Sequence, residues 1–346
     1  MRVAVLGGGH GALATAADLA LRGHRVRLAL RNRERFAEVF RTGRIAIEGA
    51  AGEGVARLDE VTDDHAAAVR EADLVLVPMP ATAQEEIAER IAAAVAPGQV
   101  VCLMPGTWGA LVMGRRIPGG VFAETATLPY GARQSGPAAV RCALHARHLP
   151  TGVYPARETS RALAVVARAY PQVEAVEDSL SAALLNANGA LHAPLVLLNA
   201  GPLDRGEYDL HVEGTTPVVR RLIEALDAER IALRRALGYT SPDWPLRDYY
   251  ADADWLYGPG AFSAVQRRSV WRERLPFEHR YLTEDVGLGL VLWSSLGRAL
   301  GVPTPLADAC IALASAVLGR DLRAEGRSLE RLGLAGLDRD RLRARL

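Results

Sequence analysis

The chain has little cysteine. Cys102, Cys142 and Cys310 are its three, far apart in 346 residues and with no Cys-x-x-Cys pair. That excludes a disulfide framework and a thiolate zinc site, and it suits a reducing, cytoplasmic compartment. Excess charge is also missing: 41 basic and 40 acidic residues leave a net +1. A strongly basic footprint for nucleic acid or an anionic membrane is thereby excluded. Long charge-free runs are few, and the longest is Ser179 to Leu203. It contains Asn186, Asn188, His192, Pro194 and Asn199, all costly in lipid, so it is predicted as a buried interdomain helix and not a membrane span. There is no internal repeat, and no signal peptide precedes the strand that begins at residue 1. What remains is an ordinary globular composition, 49% apolar and 23% charged, in a chain long enough for two domains.

The organising stretch is the first 33 residues. Met1 to Leu6 reads as a buried parallel strand, Ala14 to Arg22 as a helix stopped by Gly23, and Arg25 to Leu30 as a second strand. Between the first strand and the helix lies Gly7-Gly8-Gly9-His10-Gly11-Ala12. Gly7-x-Gly9-x-x-Ala12 fits the dinucleotide fingerprint, and it sits in the context that confirms it, after a strand and before a helix. Gly7 permits the tight turn and Gly9 lets the backbone approach a pyrophosphate. Ala12 is small enough for the helix to pack on the strand. The helix N-terminus offers N–H groups to the phosphates, which places His10 and Gly11 at the cofactor too.

A further absence bears on which dinucleotide. Between Gly23 and Arg33 there is no acid to take a ribose 2′-hydroxyl; Arg31, Asn32 and Arg33 stand there instead. Two guanidiniums suit a 2′-phosphate. The preferred cofactor is therefore NADP(H), with NAD(H) the alternative.

Further strands are predicted at Arg44–Glu48, Asp73–Pro78, Gln99–Met104 and Val121–Thr127, with a hairpin turn at Gly49–Gly54. Pro78 closes a strand at the edge where open α/β sheets bind ligands. Tyr130, in Glu124-Thr125-Ala126-Thr127-Leu128-Pro129-Tyr130-Gly131-Ala132-Arg133, is expected to face that cleft and touch substrate. Short strands within 140–149 and 172–176 follow. From about Glu177 the rhythm becomes helical, with one helix over 217–238 and no clear strand. The fold class is α/β: an N-terminal Rossmann-type doubly wound parallel sheet over 1–177, then an all-α domain over 178–346.

His192 is the leading chemical candidate. On a helix it shares a face with Asn188, Leu195 and Asn199, a polar stripe on an apolar segment; Asn199 is expected to touch substrate, and Pro194 to break or kink that helix. An imidazole acting as general acid needs its other nitrogen held by a carboxylate. Arg280-Tyr281-Leu282-Thr283-Glu284-Asp285 offers Glu284 or Asp285 for that. It also offers Arg280 to clamp a substrate carboxylate. Thr283 is expected to cap the next helix, with both acids in its first turn.

These stretches together resemble the opine dehydrogenase family (octopine, nopaline and N-(carboxyalkyl)amino-acid dehydrogenases). The matching residues are Gly7–Ala12 with Ala16-Ala17-Asp18-Leu19-Ala20, Glu124-Thr125…Leu128-Pro129-Tyr130…Arg133, and the surroundings of His192 through Leu197-Leu198-Asn199-Ala200-Gly201. To these add Glu284-Asp285-Val286…Gly289-Leu290-Val291 and Gly301-Val302-Pro303-Thr304-Pro305. The resemblance implies a Rossmann domain followed by an α-helical one. It implies the NADPH-dependent reductive condensation of an α-keto acid with the amino group of an amino acid. It also places the catalytic histidine at His192, its aspartate at Asp285 and the keto-acid arginine at Arg280. Gly287 and Leu288 depart from the prolines the family often carries there. The chain is expected to act as a homodimer on small molecules, with no nucleic acid, membrane or metal partner. The alternatives are a biosynthetic keto-acid or imine reductase of the same fold, and a non-catalytic NADP-binding protein.

Overall fold

Residues 1–268 and 272–346 are described by a computed structural model. The chain divides into two units. One comprises Met1–Ala183 with Leu256–Gly258, the other Leu184–Trp255 with Pro259–Leu346. The sequence placed the boundary six residues earlier and did not anticipate the return of 256–258. That return is made by Leu256, whose carbonyl accepts from the Arg147 and His148 N–H groups, and by Tyr257, whose hydroxyl donates to the Leu128 carbonyl at 2.8 Å.

The apolar run of residues 3–6 is buried on both faces, which only a central parallel strand requires. β1 (Arg2–Leu6) lies between β2 (Arg25–Ala29) and β6 (Leu74–Val77), parallel to both. The eight-stranded sheet has the order β12-β11-β8-β7-β6-β1-β2-β5, with β5 Glu60–Thr62, β7 Val100–Leu103, β8 Val121–Thr125, β11 Leu149–Tyr154 and β12 Val173–Ala175. It is parallel from β5 to β8, but β11 runs antiparallel to β8, so the sheet is mixed.

The reason lies in the intervening chain. After β8 the chain leaves the sheet to form β9 (Tyr130–Gly136) and β10 (Ala139–His145). These join β3 (Arg44–Gly49) and β4 (Gly54–Arg57) in a second sheet of order β4-β3-β10-β9. The Gly49–Gly54 turn does close a β3–β4 hairpin, pairing Ile45 with Ala56. The helix His10–Leu21 sends Leu13 and Leu19 into the core beneath. Each such fully buried leucine is worth about 1.5–3 kcal/mol.

The second unit is helical, apart from a two-stranded ladder between Tyr208–Asp209 and Arg272–Glu273. The charge-free stretch is not one helix: Ser179–Leu185 and Asn188–Leu198 are separate, and its last residues open a third, Ala200–Arg205. The Asn186 side chain accepts the Asn188 N–H at 3.1 Å and starts the second helix there. Pro194 does not break that helix, which continues to Leu198. Among the described residues Ser179–Leu198 is the one stretch apolar and long enough to cross a bilayer, and it is 83% buried.

Candidate active site

Gly7, Arg31 and Pro78 follow the carboxyl ends of β1, β2 and β6, three adjacent parallel strands. They therefore sit at one edge of the sheet, the edge at which ligands of open α/β sheets bind. The turn leads into the His10–Leu21 helix, whose N-cap is Gly9 and whose first turn carries no side-chain cap. A Cβ placed on Gly9 would stand in open space, so nothing in the protein requires glycine there. A phosphate lying against the backbone would require it, and this is the feature of the turn that fits a dinucleotide.

Ala12 is wholly buried, as its packing role demands. His10 is held from the side: its Nδ1 accepts the Gln134 N–H at 2.7 Å. Asn32 holds its own exposed turn, its Oδ1 accepting the Arg35 N–H at 2.8 Å. Arg31 lies 3.5 Å from Glu86, and Arg33 makes a two-point pair with Asp63. Both pairs are exposed and screened by solvent, so neither holds its guanidinium firmly.

Tyr130 is not at an open edge. It is 1% exposed, and its hydroxyl donates to Asp18 Oδ2 at 2.6 Å and meets the Tyr170 hydroxyl at 3.2 Å. Burial, Tyr170 and the Asp18 charge hold its phenol well above the ordinary value. Asp18 is also gripped by Arg22. The expectation that Tyr130 touches substrate is corrected by this geometry: its polar group ties the first helix to β9. Asn199 is likewise committed. Its Nδ2 donates to the Leu195 and Gly214 carbonyls, and its Oδ1 accepts from Tyr208.

In the helical unit two segments 93 residues apart meet. His192 Nδ1 lies 2.7 Å from Asp285 Oδ2, both residues buried. Asp285, not Glu284, is the carboxylate on the imidazole. Glu284 faces Arg280 at 3.8 Å. Burial pushes the Asp285 carboxyl up to about 7, the Arg280 charge pulling the other way. So close a pair titrates as a unit.

The helix that delivers Asp285 does not start at Thr283. It begins at Arg280, and the His279 side chain accepts the Tyr281 N–H at its N-cap. The Thr283 hydroxyl bonds back to the His279 carbonyl. At Glu284 the ladder widens, because its carbonyl accepts from both Leu288 and Gly289, and Asp285–Leu290 is a π-helix. Such widened turns appear frequently at functional sites. This one passes close to the other helix at Gly189, where a Cβ would lie 3.0 Å from Leu290 and 3.3 Å from the Asp285 carbonyl. Glycine at 189 is what lets Asp285 reach His192.

Sequence reasoning missed two neighbours. Tyr281 stacks on the His192 ring, centroids 3.7 Å apart and planes 21° from parallel. His211 stands edge-on to His192 at 5.8 Å. Tyr281 reads as an ordinary helix residue beside a more conspicuous arginine, and His211 lies in a loop with no periodic signal.

A strand, glycine turn and helix at the parallel strands of the sheet define the class, a dinucleotide-binding α/β protein. Residues 3–148 match the family described as ketopantoate reductase PanE/ApbA, and residues 175–318 match the NAD/NADP octopine/nopaline dehydrogenase, alpha-helical domain. The chain is 36% identical over 344 residues to an opine dehydrogenase of Arthrobacter sp. (strain 1C), covering 96% of this chain and 95% of that one. Its fold is shared with an octopine dehydrogenase solved with NADH and L-arginine (TM-score 0.71, 20% identity, 98% of this chain and 97% of that one). It is shared also with an NADP+-bound yersinopine dehydrogenase (TM-score 0.64, 19% identity, 99% and 97%). The chain belongs to the opine dehydrogenases, NAD(P)-dependent oxidoreductases acting on CH–NH bonds.

Proposed function

We propose that this enzyme condenses an α-keto acid with the amino group of an amino acid, with NADPH the preferred reductant, and that His192 and Asp285 carry the proton chemistry. The single observation behind this reading is the buried 2.7 Å contact between His192 Nδ1 and Asp285. A carboxylate there fixes the tautomer, leaving Nε2 to serve substrate. His192 takes a proton from the substrate ammonium, so that its nitrogen attacks the keto carbon. It then returns that proton to the former carbonyl oxygen and passes on a second one from the attacking nitrogen, so that the oxygen departs as water and a protonated imine remains. Arg280 holds the keto acid's carboxylate, more than a third of its side chain being exposed.

The chain contains no lysine. The imine is therefore formed between the two substrates, not on an enzyme amine. When bound, the nicotinamide supplies the hydride. Gly7, Gly9, His10, Gly11 and Ala12 would hold the dinucleotide phosphates, with Pro78 at the same sheet edge. Arg31, Asn32 and Arg33 would lie at the adenosine ribose. The two weak surface ion pairs of Arg31 and Arg33 leave both guanidiniums easily turned to a 2′-phosphate.

A matrix of keto acids against amino acids, followed by NADPH absorbance, tests the reading. Oxidation that needs both partners, and that falls about 10²-fold or more in His192→Asn, is expected. The match of residues 3–148 to ketopantoate reductases favours one second reading, reduction of a keto acid alone. Oxidation that persists without any amino acid would establish it.

A further inference from the structure

We propose that Tyr281 and His211 form a positioning pair that holds the His192 imidazole in the orientation its proton transfer requires. The inference rests on His192 being the proton carrier. It concerns what Asp285 alone cannot do. A hydrogen bond at Nδ1 fixes one edge of the imidazole; the plane of the ring, and with it the direction of Nε2, is fixed by a contact on its face. Tyr281 supplies it, its ring stacked 3.7 Å from the imidazole.

The tyrosine is itself held at its far end. Its hydroxyl meets His211 Nε2 at 3.2 Å. His211 closes the corner, edge-on to His192 at 80° and to Tyr281 at 86°. The His211 backbone is pinned in turn. Its carbonyl accepts from Thr215 Oγ1 at 2.9 Å and from Gln266 Nε2 at 2.7 Å. On the helix side the Tyr281 ring meets His279 edge-on at 4.4 Å, and the Arg280 guanidinium lies 5.2 Å from its centroid. An ordinary packing contact would need no such chain of hydrogen bonds from the loop to the ring.

The groups that can change charge around His192 are Asp285, Glu284 and Arg280 from the 280–290 segment, His279 at its start, and His211 from the loop. Removing the Tyr281 hydroxyl alters none of these charges. Its effect is therefore on orientation, and it is expected in kcat and not in the apparent pKa of the rate profile.

The test is a double-mutant cycle of Tyr281→Phe and His211→Ala on kcat, repeated in the His192→Asn background, with thermal midpoints confirming the fold. Each single variant is expected to lower kcat about 3- to 10-fold, the worth of one hydrogen bond, with the keto-acid KM within twofold. The double variant should cost no more than the larger single effect. His211→Gln, which can return a hydrogen bond to the Tyr281 hydroxyl, should recover most of the loss. In the His192→Asn background neither substitution should change the residual rate. Additive losses, or equal losses in that background, would overturn the pair. So would unchanged kcat in both singles while His192→Asn is slow. If His192→Asn turns over at the wild-type rate, it is the catalytic assignment that fails.

Discussion

Replacing Asp285 by asparagine should make the protein more stable, relative to wild type, as the pH rises, while removing most of its activity. The shape of the side chain is nearly kept and the charge is lost. The carboxyl rises from 3.8 to about 7 on folding, with burial the first cause. A group whose pKa is raised binds its proton more tightly in the folded chain. Its contribution to stability is whole below the unfolded value and disappears as pH climbs through the folded one. The loss thus falls between 3.8 and about 7. At about 1.4 kcal/mol per tenfold change, wild type should lose stability relative to Asp285→Asn between pH 5 and pH 8, on the order of 1–3 kcal/mol for the His192–Asp285 pair as a whole. Urea unfolding of both proteins at several pH values measures this for the His192–Asp285 pair, because titrating groups outside the pair cancel in the difference. Turnover should fall about 10²-fold or more, since an amide no longer dictates which imidazole nitrogen carries the proton. A stability difference that does not vary with pH would refute the reasoning, for it would mean that the carboxyl pays no desolvation cost in the fold.

Arg31→Ala with Arg33→Ala should weaken NADPH binding about tenfold, one charge-assisted contact's worth, and NADH binding much less; equal effects in a fluorescence titration would remove the case for a 2′-phosphate site. Arg280→Lys should raise the keto-acid KM about tenfold and change kcat less, since an ammonium cannot grip a carboxylate at two points; an unchanged KM would place the substrate carboxylate elsewhere. Tyr130→Phe removes the hydroxyl that donates to Asp18 and should lower stability by about 1–3 kcal/mol, leaving both substrate KM values unchanged in steady-state assays. A raised KM without lost stability would return Tyr130 to the substrate site.

The strands β1, β2, β6, β7 and β8, the glycine turn and its helix were legible in the sequence. So was the chemical kind of His192's partner. Each of these is written in neighbouring residues: an apolar run that only a buried parallel strand explains, a glycine spacing, a carboxylate required by an imidazole. The residues left the choice between Glu284 and Asp285 open, and the family resemblance pointed to Asp285. The tertiary structure showed the contact itself, because a π-turn from 285 to 290 and the close approach at Gly189 set the direction of the side chain.

Strand β9 was unreadable for a related reason. Tyr130–Gly136 is a strand because β10 lies beside it, and its small and polar residues announce nothing by themselves. The fate of Tyr130 followed, its hydroxyl going to an aspartate 112 residues away. Tyr281 and His211 meet across 70 residues in the same manner. Periodicity and spacing act between residues close in the chain, and those the sequence determined alone. Which polar groups are spent inside the protein and which are left for substrate depends on contacts made only when distant segments pack, and the tertiary structure decided that.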